Sequence, residues 1–310
     1  MFTRIVVGCD GGAPARDAVA LAHSVAQATG AGLSLVGVYP TAFFPVPGQS
    51  DRRSLRAQAE QVLHRERDQF APEAHTDTVV DLSFARGLRR FGQRWHAGLI
   101  VIGSDRQAAD GRAAISRRGR QVVIGAKCPV LIAARGAHEH LTPLRAIGVG
   151  FDGGPESVAA LHVAVELAQA TGASLQVRRV VEDQIPPLSA DQWMASADWR
   201  RFWEPARESA QAETTQELEA LGVDGGVSVT VGDPGYELRS LSEEVDLIVV
   251  GSRRWGPKAR IINGGVGETL VADAGCSVLI VPRVPVSDPP EAELETEAAR
   301  AESAPTPTTA

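Results

Sequence analysis

A chain of 310 residues, 44% hydrophobic and with a formal charge of −7, has apolar material for two packed cores and no basic excess for coating nucleic acid. The charge is uneven. Residues 286–310 hold six acids (Asp288, Glu291, Glu293, Glu295, Glu297, Glu302) against Arg300 alone, a net −5 that leaves −2 to the remainder. Three scattered cysteines, Cys9, Cys128 and Cys276, argue against a disulfide framework or zinc cluster and suit a reducing cytoplasm. No charged leader with an apolar stretch opens the chain, and no run approaches the roughly 20 apolar residues of a membrane span. A cytoplasmic protein with neither membrane nor nucleic-acid partner is expected.

In chain order, the first apolar run ends Ile5-Val-Val-Gly-Cys-Asp-Gly-Gly12, and the same phrase returns as Ile147-Gly-Val-Gly-Phe-Asp-Gly-Gly154. The stretch after each shares a frame: Ala18, Leu21, Ala22, Val25 and Ala26 stand 142 positions before Ala160, Val163, Ala164, Leu167 and Ala168. Their i, i+3, i+4, i+7 spacing makes one apolar stripe on a helix. Both helices stop at Gln-Ala-Thr-Gly-Ala, where Gly30 and Gly172 can take the left-handed conformation that ends a helix. Further on, Leu99–Ser104 matches Leu247–Ser252, and Lys127–Ile132 matches Gly275–Ile280, now at an offset of 148. One fold is written twice, with six more residues between the second and fourth strands of the second copy.

Strands are expected at 4–8, 33–38, 76–82, 98–102 and 130–133, and again at 146–150, 174–180, 227–231, 246–250 and 277–281. Helix-like patterns alternate with them, which predicts parallel sheets wound by right-handed crossovers. Strands one, four and five of each copy are almost purely apolar, as in sheets covered on both faces. The fold class is therefore α/β: two tandem open-sheet domains, each a five-stranded parallel sheet with helices on both faces. The divisions are 1–138 and 139–285, the polar stretch 135–143 reading as a solvated linker. The composition of 286–310 predicts an acidic, disordered tail.

In an open parallel sheet, ligands sit beyond the carboxyl ends of the strands, where strand order reverses. Two features fall there in each copy: Asp10 or Asp152 with a Gly-Gly turn after strand one, and Gly103-Ser104 or Gly251-Ser252 after strand four. If strands one and four are neighbours, these features face one crevice. A carboxylate can accept from ribose hydroxyls or an adenine amine, and exposed glycine amides can hold phosphate. Asp-Gly-Gly after a strand is also an ordinary helix-capping turn.

These motifs resemble the universal stress protein family, whose domains open with a strand ending in Asp-Gly and close with a Cys-Pro-Val-Leu-type fifth strand. After strand four the family carries Gly, two residues, Gly, nine residues, Gly, then Ser or Thr. The resemblance covers nearly all of residues 1–285 and implies the adenine nucleotide alpha hydrolase-like fold. In the family's ATP-binding branch the Asp holds the nucleoside and the glycine motif wraps the phosphates. The first copy departs from the motif, with Arg106 at the second glycine and Ser116-Arg117 at the closing pair. The second copy keeps Gly251 and Gly264, has Arg254 at the middle glycine, and carries Gly265 in place of Ser or Thr. Arg253 and Arg254 can add charge-assisted phosphate contacts. The second copy is thus the better nucleotide candidate: Gly150, Asp152, Val180, Val250, Gly251, Arg253, Arg254, Gly264, Gly265 and Val266, with Asp10 and Gly103 as the degenerate counterparts.

Other signals carry less. Gly148-Val-Gly150-Phe-Asp-Gly153 satisfies a dinucleotide-binding string, but its first two glycines lie inside a strand. The chain has two lysines, Lys127 and Lys258, and no Walker loop. The seven histidines form no constellation, and His138-Glu139-His140 reads as linker. Cys9 alternates into strand one as a buried small residue. Arg86, Arg89, Arg90 and Arg94, with Arg112, Arg117, Arg118 and Arg120, read as a solvated helix face or an acidic-partner patch. Trp199, Phe202 and Trp203, at helical spacing, together with Trp193, read as packing against the domain or as a partner groove.

The resemblance implies a stress-response regulator, not an enzyme, with no catalytic or metal-binding set. ATP is its expected ligand, with magnesium only alongside the nucleotide. It also implies pairing of the copies through their fifth strands, as a pseudo-dimer, and a homodimer is a further expectation. A nucleotide-free interaction scaffold of the same fold is the other reading.

Overall fold

The computed structural model describes residues 2–39, 52–139, 143–182, 199–252 and 266–282. The first copy runs β1 (Arg4–Gly8), α1 (Ala13–Thr29), β2 (Gly32–Tyr39), α2 (Arg52–Phe70), β3 (His75–Val80), α3 (Phe84–Arg94), β4 (Leu99–Gly103), α4 (Arg117–Ile124) and β5 (Val130–Ala133). The second runs β6 (Ala146–Phe151), α5 (Pro155–Thr171), β7 (Ser174–Glu182), α6 (Trp199–Ala220), β8 (Gly226–Gly232), α7 (Pro234–Ser242), β9 (Leu247–Gly251), α8 (Val266–Ala272) and β10 (Ser277–Val281). The expected helix stops are present: Gly30 (φ 69°) and Gly172 (φ 73°) close α1 and α5, their N–H groups donating to Ala26 O and Ala168 O.

Within each copy the strands are parallel, and β1 lies between β2 and β4 as β6 lies between β7 and β9. The two sheets are not separate. β5 pairs with β10 antiparallel, Val130 opposite Ile280, Leu131 opposite Leu279 and Ile132 opposite Val278, giving a ten-stranded mixed sheet β3-β2-β1-β4-β5-β10-β9-β6-β7-β8. Each fifth strand is short and apolar, so pairing them removes two edges that would otherwise expose unpaired backbone. Ser277 strengthens the seam by accepting the Ala134 N–H at 3.0 Å. The expected pairing of the copies is the arrangement seen.

Alternation along the strands divides the core between the two faces of this sheet. Ile5, Val7, Leu131, Leu279 and Val281 join α1, α2, α5 and α6 on one face. Val6, Val130, Ile132, Val278 and Ile280 join α3, α4, α7 and α8 on the other. Both clusters run through the seam, so the copies share one hydrophobic interior.

Two sequence expectations need correction. β3 stops at Val80, two residues early, because Asp81 turns the chain: its carboxylate accepts from Ser83 N (2.9 Å) and grips Arg86, while Ser83 caps α3. Residues 135–138 are not a solvated linker. Asp17, 1% exposed, accepts from the backbone N–H groups of Gly136 (3.2 Å) and His138 (3.0 Å) and lies 2.6 Å from His138 Nδ1. The tail, 286–310, lies outside the described residues, as does Trp193. Trp203 is half-buried and makes a polar or ring contact.

Asp81 also carries a pH dependence. Its side chain is buried, and the hydrogen bonds from Arg86 hold its carboxyl below the usual range. A folded value below the unfolded one, about 3.9, means that the pair's stabilisation is complete above that pH and is lost as pH falls through the folded value. Asp81→Asn is therefore expected to be less stable than the parent at pH 7, and the gap should close in acid. Urea unfolding at pH 7 and pH 3 checks this; a gap that widens in acid contradicts it.

Candidate functional site

The crevice condition is met in both copies. Strands one and four are hydrogen-bonded neighbours, and the strand order reverses between them. Asp10 and Asp152 leave the carboxyl ends of β1 and β6, and each carboxylate accepts the N–H two residues on, Gly12 at 2.9 Å and Gly154 at 2.8 Å. The glycine between takes a positive φ, 76° at Gly11 and 78° at Gly153, which turns the chain into the helix. Both aspartates are exposed. The capping reading and the ligand reading thus describe the same turn.

The copies differ around that turn. In the first, a Cβ on Gly11 would stand 2.6 Å from Val62 Cγ1 and 3.3 Å from Arg65 Nη2, so α2 closes over it. Beneath lies Glu66, with a fully buried side chain that pairs with Arg16 (3.2 Å) and Arg65 (3.4 Å). Arg106, at the second glycine of the phosphate motif, lies 3.5 Å from the Asp10 carboxylate. In the second copy, a Cβ on Gly153 would meet, among the described residues, only Arg179, at 4.0 Å. Asp152 there has an additional partner, the Ser157 hydroxyl at 2.8 Å, where the first copy has Ala15. Arg179 pairs with Glu213 of α6 at 2.8 Å and, with Ser209, holds that carboxyl below its usual range. Ser157, Arg179 and Glu213 escaped the sequence reading. The repeat differs at all five positions here, 13–17 against 155–159, so the change of Ala15 to Ser157 does not stand out in the sequence.

Gly103 and Gly251 end β4 and β9 as expected, but both have a structural reason to be glycine. A Cβ on Gly103 would overlap the Pro14 carbonyl oxygen, and one on Gly251 would stand 2.6 Å from Glu156 O. The first turns of α1 and α5 sit directly on these strand ends. A Cβ on Gly150 would likewise stand 2.6 Å from Leu238 Cδ1, and one on Gly148 would meet Leu241, so the first two glycines of the dinucleotide-like string serve β6–α7 packing. Val250 is buried in the core, and Val180 sits within β7 opposite Thr230. Val266 begins α8. Arg253, Arg254, Gly264 and Gly265 lie outside the described residues.

The segment that would wrap phosphate in the first copy is committed elsewhere. Ser104 Oγ donates to Ala133 O at 2.6 Å, and Ser116 caps α4 by accepting from Gly119 N. Between them, Ala113 exchanges hydrogen bonds with Ala274 (2.9 and 3.0 Å), and Ile115 N donates to Val271 O at 2.8 Å. Arg112 reaches Glu243 at 2.9 Å and Asp273 at 3.4 Å. The decayed motif is a clasp on the second copy.

None of the three cysteines is set up as a thiolate. Burial pushes the Cys9 thiol up to about 12 and Cys128 to about 11, and raises Cys276 as well. Among the described residues no helix is long and apolar enough to cross a membrane, and no cluster of His, Cys, Asp and Glu could hold a metal.

Comparison with known proteins agrees with this architecture. The model of the universal stress protein family matches residues 1–134 and 143–282. Universal stress proteins of Mycobacterium tuberculosis and Mycobacterium bovis are each 26% identical over 303 residues, covering 91% of this chain and 95% of theirs. The crystal structure of a universal stress protein from Archaeoglobus fulgidus superposes with a TM-score of 0.64 at 18% identity, covering 91% of this chain and 98% of that one. A structure described as a putative universal stress protein of Pseudomonas aeruginosa gives 0.63 at 16% identity, covering 96% and 98%. With both matches falling on the two halves of one sheet, the chain belongs to the universal stress protein family and carries its domain twice in tandem.

Proposed function

We propose that this chain is a non-enzymatic, cytoplasmic stress-response regulator that binds an adenine nucleotide, ATP, in the crevice of its second copy. The first copy acts as its structural partner. The observation that carries this reading is the contrast between the two Asp-Gly-Gly turns. The first is covered by Val62 and Arg65, and its aspartate faces Arg106. The second is open among the described residues, with Asp152 positioned by Gly154 N and Ser157. In this reading Asp152 accepts from the nucleoside. The phosphate-side residues Gly251, Arg253, Arg254, Gly264 and Gly265 enter by family resemblance, and magnesium accompanies only the bound phosphates.

The test is direct. Denaturing the purified protein and chromatographing the supernatant should release adenine nucleotide, or ATP with magnesium should raise the melting temperature. Asp152→Ala should then weaken binding by about 10- to 100-fold, the loss of a charge-assisted hydrogen bond, while Asp10→Ala changes it little. Equal losses would contradict the ranking of the copies. Absence of both nucleotide and thermal shift would leave the second reading, a nucleotide-free scaffold. That reading is favoured by one observation, the first copy's motif segment spent on holding the second copy through Arg112, Ala113 and Ile115.

A further inference from the structure

We propose that the acidic C-terminal segment of this same chain, residues 286–310, docks on the basic face formed by α3 and α4 of the first copy. Neither helix contains an acid: α3 carries Arg86, Arg89, Arg90 and Arg94, and α4 carries Arg117, Arg118 and Arg120. The fold satisfies only part of this charge. Asp81 takes Arg86 at 2.7 Å and Arg90 at 3.8 Å, and Arg89 lies across Gly125 and donates to Gln121 O. Arg94, Arg117, Arg118 and Lys127 are exposed, with no carboxylate partner among the described residues. Between the C-terminal end of α3 and the chain that leads from α4 to β5 lies a groove of about 80 Å³ lined by Arg89, Gln93, His96, Lys127 and Cys128.

The seam determines where the C-terminal segment leaves the sheet. β10 runs antiparallel to β5 with Ile280 opposite Val130, so two residues on, Pro282 stands level with Cys128 on the wall of that groove. Residues 286–310 then supply a net −5, with the first acid, Asp288, six positions beyond Pro282. A tethered acidic segment beside unpaired cations has a local concentration on the order of millimolar, so weak individual contacts suffice. The rival destination is the second-copy crevice, since Gly251 is opposite Val281 in the parallel pair and Lys258 follows it in sequence.

The chain's two lysines make the test specific. Zero-length carbodiimide coupling of the full chain, followed by peptide mass spectrometry, should join the acids Asp288–Glu302 to Lys127. The product should largely disappear at about 1 M salt, where the screening length falls to about 3 Å. It should also fall several-fold in the triple variant Arg94→Glu, Arg117→Glu, Arg118→Glu. If that variant fails to fold, the salt series on the unaltered chain still decides. Coupling of the segment to Lys258 instead of Lys127, no coupling to either, or coupling insensitive to salt overturns the proposal. So do mixed-isotope products from a ¹⁴N/¹⁵N mixture, which would place the segment on a second molecule.

Discussion

Gly103→Ala is expected to destabilise the protein by about 3 kcal/mol or more, because the new methyl group has no space and no flexible neighbour to displace. Its position overlaps the carbonyl oxygen of Pro14, part of the first turn of α1, and backbone cannot rotate away as a side chain can. Relief requires α1 to slide off β4, and α1 supplies Ala15, Ala18, Ala22 and Val25 to one of the two core clusters. Gly251→Ala should show the same effect at lower amplitude, since its Cβ would stand 2.6 Å from Glu156 O. Urea unfolding of both variants without nucleotide checks the claim. Parent-like stability in Gly103→Ala would mean that the glycine serves only a ligand. A loss in the nucleotide-free state assigns it to helix–strand packing.

Asp17→Ala is the second large effect, at about 2 to 3 kcal/mol. The carboxylate is buried in α1 and receives two backbone N–H groups and the His138 ring from the chain that joins the copies. Removing it leaves donors unpaired in a half-buried place, at about 1–3 kcal/mol each, reduced where water can reach them. His138→Ala keeps the two backbone bonds and should cost less than half as much. The ring also meets Phe70 edge-on at 5.9 Å, so some of that loss is packing. Urea unfolding gives the magnitudes, and limited proteolysis near residues 135–143 gives the location. Cleavage there should be faster in Asp17→Ala. Unchanged cleavage with unchanged stability would show that the carboxylate does not anchor the linker.

The repeat, the helices and the strands were legible because each rests on local rules. A helix that ends Thr-Gly-Ala needs only the left-handed freedom of Gly30 or Gly172, and a strand covered on both faces needs only an apolar run such as Leu99–Ile102. The placement of Asp10, Asp152, Gly103 and Gly251 at one crevice in each copy followed from topology, since open parallel sheets bring those strand ends together. Less legible was what each residue touches. His138 reads as a solvated linker residue until Asp17, distant in sequence, is seen beneath it. Arg106 reads as an obstacle to phosphate, and its guanidinium is turned toward Asp10. Arg112 belongs, in sequence, to a basic surface run, but it bridges Glu243 and Asp273 of the other copy. Such pairs cannot be read from spacing, because the partners lie 96 or more residues apart.

By itself, the sequence determined that one α/β domain is written twice and that its phosphate motif has decayed unequally. Periodicity and turn residues are properties of contiguous segments, and both copies retain them. Only the tertiary structure decided that the copies form a single sheet through β5 and β10 and that the first copy's motif segment is bonded across to the second. It also gave Gly103 and Gly251 their packing role, which depends on where the first turn of a helix rests on a strand. The inequality of the copies, first visible as missing glycines, is physically the difference between a turn covered by α2 and Arg106 and a turn that, among the described residues, only Arg179 approaches.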